Sequence, residues 1–353
     1  MHLTKAQEQC LQGEMGESLA WAMERLVRLG DERGSSRLIP VVSVHIPDWD
    51  VSLRRDRMRS LAVEGLAVRC SLNPGRPLVD GDALPSGMMD VRSCTPYLCG
   101  HNVSRDSVVA WGGRAACAFV NSALGARSEL ESYDDSLAAA ISGLTPERRL
   151  HKDEGRKATV TVIVDGADID LGTLGAGISA SLPGEVPHIC GIRPGLGDFK
   201  KLSFAVNSRG DIPLFHVTAE QNAPDGLEAI YASDIVPEPD GRDDADLLIL
   251  GCPHLSEQEV NRWARALSDR GCGIITWFFI SGLCWDKSPK TGDVLRTRGM
   301  VSIDRCPLSF KEEMNGRRVA CTSPGLVGCL RSSGIDAFPV TDDEALRMML
   351  ARV

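Results

Sequence analysis

Three short apolar runs constrain the fold of this chain more than any other feature. They are DADLLILG (244–251), GIITWFFI (273–280) and MVSI (300–303), and between the first two lies EQEVNRWARALSDRG, a stretch of helical period opened by Ser256 with Glu259 three residues on. Runs apolar on both faces are strands buried on both faces, and the serine–glutamate pair is a capping box that starts a helix. Strands alternating with helices close into a parallel sheet through right-handed crossovers. In such sheets the sites gather at the carboxyl ends of the strands. Two cysteines stand there, Cys252 in Gly251-Cys252-Pro253-His254 and Cys306 in Asp304-Arg305-Cys306-Pro307.

A second cysteine-bearing stretch lies earlier, SCTPYLCGHNVSRDSVVAWGGRAACAFVNSALGARSE (93–129). Pro96 forces Thr95 out of helical geometry, so Cys94 is expected on a turn directly after a strand. The apolar VVAWGGRAACAFV (108–120) is expected to be buried, carrying Asn121, Ser122 and Arg127 to the end of a core element.

The rest of the chain is read as scaffold. Thr4 and Gln7 form a capping box, and a second helix from about Glu17 places Leu19, Ala22, Met23, Leu26 and Leu29 on one face, with Gly30 as its stop. RLIPVVSVHIP (37–47) reads as one buried strand that carries Ser43, His45 and Asp48 to its carboxyl end. A helix RMRSLAVEG (57–65), a strand LAVRCSL, a turn at Asn73-Pro74-Gly75 and an irregular Pro/Gly-rich loop (76–90) follow. DDSLAAAISGL is a helix ending near Gly143, and the charged ERRLHKDEGRK is a solvated connector or a strip reaching the site. ATVTVIVDG opens a region of different texture, in which GTLGAG lacks the context of a dinucleotide-binding turn and GLGDFKK lacks the ending of a phosphate loop. The final segment repeats strand, turn and helix around Thr322-Ser323-Pro324-Gly325. The division expected is three α/β units, 1–157, 158–240 and 241–353.

Composition narrows the function. A net charge of −9 without a basic run excludes a nucleic-acid backbone partner and a membrane surface. No stretch approaches the roughly 20 apolar residues of a span, and no signal-peptide core follows Met1, so the cytoplasm is expected. There thiols stay reduced, and the twelve cysteines are read as buried filler with a few put to metal or catalysis. Cys10, Cys70, Cys117, Cys272, Cys284 and Cys329 are placed among the filler. Cys94, Cys252 and Cys306 are either three unrelated buried thiols or ligands converging on an iron–sulfur cluster or a zinc ion. Cys99 is a candidate fourth ligand, and the alternative is one iron left open. An open iron suits dehydration, in which a Lewis acid coordinates the leaving hydroxyl while a base removes a proton next to a carboxylate. Arg127 is suited to a carboxylate or phosphate, with Asn121 and Ser122 beside it, or else forms a structural salt bridge. His45 taken alone is either a satisfied core histidine or a site residue.

CTPYL, NSALGAR, AAAISGLTPERRLHKDEGR, LGCPH and DRC, in this order, resemble the large subunit of the aconitase X family, which includes cis-3-hydroxyproline and phosphomevalonate dehydratases. The resemblance extends from the first helix to the last. It implies an aconitase-like α/β fold of several parallel-sheet domains around a central cleft, and a hydro-lyase acting on a small anionic hydroxy acid. It implies Cys94, Cys252 and Cys306 as ligands of a 2Fe–2S or 4Fe–4S cluster, with mononuclear iron as the alternative. His45, Ser122 and Arg127 would be catalytic, and Ser43, Thr95, Asn121, His254 and Ser323 would line the substrate pocket. A small swivelling-domain subunit with a catalytic serine is implied as partner. The chain departs from the family pattern at Ile46-Pro47-Asp48-Trp49, at Ser128-Glu129 and at Thr322-Ser323-Pro324-Gly325, and it lacks a helix of about twenty residues before CTPY. These departures point to retained cluster chemistry on a different substrate. The competing readings are a metal-dependent isomerase or other lyase, and a non-catalytic cluster-bearing scaffold or sensor.

Overall fold

A computed structural model describes residues 1–47, 65–73, 86–166, 169–221, 226–237, 240–268 and 272–350. Asp48, residues 57–64 of the expected helix, Pro74-Gly75 of the expected turn and residues 76–85 of the expected loop lie outside these.

Thr4 and Gln7 bond reciprocally at the start of helix Lys5–Leu11. Helix Glu17–Glu32 buries Ala22, Met23, Leu26 and Leu29 as the period demands. It does not stop at Gly30. That residue is a packing position inside the helix, where a Cβ would come within 2.6 Å of Met1 Cε. RLIPVVSVHIP is two strands, β1 (Leu38–Pro40) and β2 (Ser43–Pro47). Pro40 has no amide to continue a ladder, and the two valines after it bond different neighbours, Gly143 O and Val108 O.

β2, β3 (Arg69–Asn73), β4 (Met88–Arg92) and β5 (Ala110–Trp111) form a parallel sheet in the order β4-β3-β2-β5, whose register sets His45 opposite Ser71. β1 pairs antiparallel with β6 (Leu144–Pro146). Helix Tyr133–Ser142 packs on this sheet and ends at Gly143, whose φ of 72° is the left-handed cap that glycine favours.

A second parallel sheet, in the order β10-β7-β8-β9, contains β7 (Val160–Ile163), β8 (Pro187–Cys190), β9 (His216–Thr218) and β10 (Ala229–Tyr231). GTLGAG lies within helix Leu171–Ser181. Its glycines serve close packing, since a Cβ on Gly175 would meet Ala205 Cβ at 2.7 Å and one on Gly177 would meet Ile235 O at 2.3 Å.

The third sheet is parallel throughout, in the order β13-β12-β11-β14-β15. Its strands are β11 (Leu247–Leu255), β12 (Ile275–Ile280), β13 (Met300–Ile303), β14 (Val319–Cys321) and β15 (Ala337–Pro339). β11 is longer than its apolar run. It slips register between Leu250 and Leu255, so Cys252-Pro253-His254 belong to an irregular strand end. Gly251 begins the slip with φ 98°, where a Cβ would lie 2.2 Å from Phe279 O. The Cys252–Pro253 peptide bond is cis. The fold is α/β, built from parallel sheets with helices packed on them. Among the described residues no helix is long and apolar enough to cross a membrane.

Candidate active site

Three chain segments deliver the three cysteines to one place. Cys94 follows β4 on the turn before the short 3₁₀ turn Pro96–Cys99. Cys252 sits in the irregular end of β11, and Cys306 lies just beyond β13, at the start of the 3₁₀ turn Pro307–Phe310. All three line one cavity of about 40 Å³, whose wall also holds His45, Asn73, Arg114 and His254. Burial pushes all three thiols up, Cys306 to about 12. Cys306 and Cys94 raise Cys252 further, because neighbouring thiolates would repel. Among the described residues no group of three or more His, Cys, Asp or Glu side chains is arranged closely enough to hold a metal ion.

The turn of Cys94 and the strand end of Cys252 are held together by a polar network. The His254 amide donates to Cys94 Sγ at 3.4 Å. His254 Nε2 is 2.9 Å from Arg305 O, an acceptor, so this nitrogen carries the proton, and Nδ1 accepts from Ser93 Oγ at 3.0 Å. Ser93 in turn accepts from the Thr95 hydroxyl at 2.8 Å and from the Thr95 amide at 3.1 Å. Burial keeps His254 neutral, with its pKa lowered to about 4. Thr95 and His254 thus tie one cysteine segment to another. Lys200 completes the join, donating to His254 O at 2.8 Å.

His45 enters from the first sheet. Its Nδ1 is 2.9 Å from Ser71 Oγ, and Ser71 Oγ is 2.6 Å from His101 Nδ1. His101 Nε2 is 2.7 Å from Ser43 Oγ, which accepts the indole N–H of Trp111 at 2.9 Å. All five residues are buried. Burial first, and then the proximity of His101, lowers His45 to about 3; burial first, and then Arg69, lowers His101 to about 4. His45 Nε2 is buried without a hydrogen-bond partner among the described residues. Ser71, His101 and Trp111 were not singled out from the sequence, since no spacing marks them; only the pairing of β2 with β3 and β5 gathers them.

Asn121, Ser122, Arg127 and Ser323 are absent from the cavity wall. Asn121, at the end of helix Arg114–Ser122, donates to Ser128 O at 2.8 Å and Pro213 O at 2.9 Å, and accepts the Ser128 amide at 2.9 Å. Ser122 Oγ accepts the Phe215 amide at 2.9 Å. Arg127 donates to His151 O at 3.0 Å and pairs with Asp153 and Asp106 at 2.6 and 3.1 Å, which hold its guanidinium above the usual range. Ser323 caps helix Pro324–Arg331. The arginine that does reach the cavity is Arg114, at the start of its helix and donating to Ser208 O. Its sequence signal was Gly112-Gly113 directly after a strand, a turn that lets a helix begin against the sheet.

A space of about 40 Å³ holds little more than a water molecule. Gly113, Arg114 and Leu308 are shared with an adjoining open cleft of about 480 Å³, which also carries Lys311, Ser132 and Ser333. The thiol cavity therefore borders a wider, open cleft.

Comparison with known proteins gives the family. A family model described as the aconitase X first domain matches residues 83–154, the segment that carries Cys94 and helix Arg114–Ser122. The large subunit of phosphomevalonate dehydratase from Thermococcus kodakarensis is 36% identical over 80% of this chain and 81% of its own. That of Methanothermobacter thermautotrophicus is 31% identical over 87% of this chain and 88% of its own. The crystal structure of Thermococcus kodakaraensis aconitase X in its holo-form superposes with a TM-score of 0.84 at 32% identity, over 98% of this chain and 99% of that one. With such identity over most of both lengths, the chain belongs to the aconitase X family, and is with its named relatives an enzyme of the hydro-lyase class.

Proposed function

We propose that this chain is the large subunit of a dehydratase that removes water from a small anionic hydroxy acid, with an iron–sulfur cluster or a single iron held by Cys94, Cys252 and Cys306. The observation that carries the reading is the convergence of three thiols, from β4, β11 and β13, on one cavity. The donor set fits such a centre in kind, because thiolates are the ligands of iron–sulfur clusters and of soft metals. When bound, the centre supplies a Lewis acid for the leaving hydroxyl. The chain's own residues do the rest. Ser93, Thr95, His254 and Lys200 hold the Cys94 turn against the Cys252 strand end. His45 lines the cavity that would take the reacting end of the substrate, and Arg114 and Lys311 bring positive charge to the adjoining cleft, which Glu131 also lines.

In the net reaction one C–O bond breaks, a proton leaves the neighbouring carbon, a C=C bond forms and water departs. Phosphomevalonate is the first substrate to test, since the named relatives dehydrate it. The relatives are named large subunits, which supports a small partner, proposed to be a swivelling domain with a catalytic serine. We place the complex in the cytoplasm, where reduced thiols persist, and take 1–157, 158–240 and 241–353 as its domains.

The test is iron and acid-labile sulfide per chain, in anaerobically purified protein and in Cys94→Ala, Cys252→Ala and Cys306→Ala, followed by an assay of water loss with the partner present. Iron and sulfide lost in each variant, with turnover of a hydroxy acid by the parent protein, is the expected result. No metal in any preparation overturns the reading.

A further inference from the structure

The direction of the buried chain Trp111–Ser43–His101–Ser71–His45 follows from one group that has no choice. An indole N–H only donates, so Ser43 Oγ accepts from Trp111. A hydroxyl has one proton, and the other neighbour of Ser43 is His101 Nε2 at 2.7 Å, which must accept it. Neutral His101 then has its proton on Nδ1 and donates to Ser71 at 2.6 Å. The Ser71 hydroxyl donates onward to His45 Nδ1 at 2.9 Å, which leaves the His45 proton on Nε2. The reverse polarity would have Ser43 accept twice, with no acceptor for its own O–H among the described residues, an arrangement that buried hydroxyls avoid.

The same His45 Nε2 is buried in the wall of the thiol cavity with no partner among the described residues. Its ring approaches within 4.0 Å of the position of a Cβ on Gly113. Gly113 is the N-cap of the nine-residue helix Arg114–Ser122, which no side chain caps. Gly113, Arg114, Ala115 and Ala116 all line the cavity. The first amides of a helix have no intrahelical acceptor and sit at the positive end of its dipole. His45 and the first turn of this helix thus share the wall of one cavity, and donors of this kind bind oxyanions.

We propose that His45, locked as its Nε2–H tautomer by Trp111, joins the first-turn amides of helix Arg114–Ser122 in a site for an oxyanion of the substrate, beside the three cysteines. This deepens the dehydratase reading and rests on it for the ligand, whereas the placement of the proton does not depend on it.

The test is a long-range proton–nitrogen correlation spectrum of the full-length chain labelled with ¹⁵N-histidine, with the His45 signals identified by their loss in His45→Gln. His45 Nε2 is expected to be the protonated nitrogen, and acetate or inorganic phosphate is expected to shift it. Movement with acetate identifies a carboxylate site, movement with phosphate alone a phosphate site, and movement with neither overturns the anion site. A proton on Nδ1 overturns the relay. Trp111→Phe removes the directing donor and is expected to give His45 a mixture of tautomers; an unchanged spectrum refutes the assigned cause. In the complete enzyme His45→Gln keeps a donor near the Nε2 position. His45→Leu does not, and it should raise KM on the order of tenfold or more above that of His45→Gln; equal KM values in the two variants overturn the role. An inactive parent enzyme would refute the dehydratase reading while leaving the tautomer result intact, so the two failures are separable.

Discussion

Lys200 Nζ lies 2.5 Å from Glu259 Oε2, and the lysine is 1% exposed, so an ion pair buried between two sheets fixes how the helix of one meets the capping box of the other. Burial pushes the Glu259 carboxyl up, and the ammonium more than offsets it, leaving the carboxyl below its usual range. Lys200→Met strands a buried carboxylate and frees His254 O. Removing one partner of such a pair costs about 3–5 kcal/mol. Denaturant unfolding should show a loss of this size, with lower metal content; a loss below about 1 kcal/mol would mean that Glu259 finds another partner.

Gly112→Ala tests the turn that starts helix Arg114–Ser122. A Cβ there would lie 2.2 Å from Pro47 Cδ and 2.8 Å from Glu131 O, one of them backbone. Such overpacking costs about 1–3 kcal/mol, and because the displaced helix start lines the thiol cavity, activity should fall along with thermal stability. Normal activity in a destabilised protein would show that the cavity tolerates a shift of this helix.

His151 makes acid stability measurable. Burial first, and then Arg148, lowers its pKa to about 3, and its Nδ1 accepts the Arg148 amide at 3.0 Å. In the unfolded chain it titrates near 6.5, so between 6.5 and 3 the unfolded state binds the extra proton. Its contribution is complete above pH 6.5 and is lost below it, at about 1.4 kcal/mol per pH unit. His151→Gln should be less stable than the parent near neutral pH and flatten the acid limb by one proton. Parallel limbs would show that His151 is already charged in the folded state.

Arg127→Ala separates a substrate contact from a surface clamp. Its partners Asp106 and Asp153 are 66% and 81% exposed, and solvent-screened pairs contribute about 1 kcal/mol or less. The structure predicts a small loss of stability and an unchanged KM. A KM raised about tenfold, worth ~1.4 kcal/mol, would show that Arg127 reaches the substrate when the small partner is bound.

Much of this site was legible residue by residue. Cys252 and Cys306 each follow an apolar run, and Pro96 set Cys94 on a turn after a strand; in the structure Cys94 and Cys306 lie just beyond β4 and β13, and Cys252 lies in the irregular end of β11. Ser256 with Glu259 and Thr4 with Gln7 are capping boxes in both. His45 was identifiable only as a histidine in a buried strand. The difference between Arg127 and Arg114 was not legible, since both follow a glycine-bearing turn. Which of them turns toward the thiols depends on where helix Arg114–Ser122 lies on the sheet.

Sequence by itself determined the capping boxes, the central strands of the third sheet, and the family, because periodicity, capping chemistry and motif order are properties of neighbouring residues. Tertiary structure alone decided that the three thiols share a cavity, that Lys200 is the buried tie between two sheets, and that Trp111 sets the proton on His45. Each of these depends on residues far apart in the chain, brought within hydrogen-bonding distance by parallel strand register and sheet packing, and no local pattern encodes that distance.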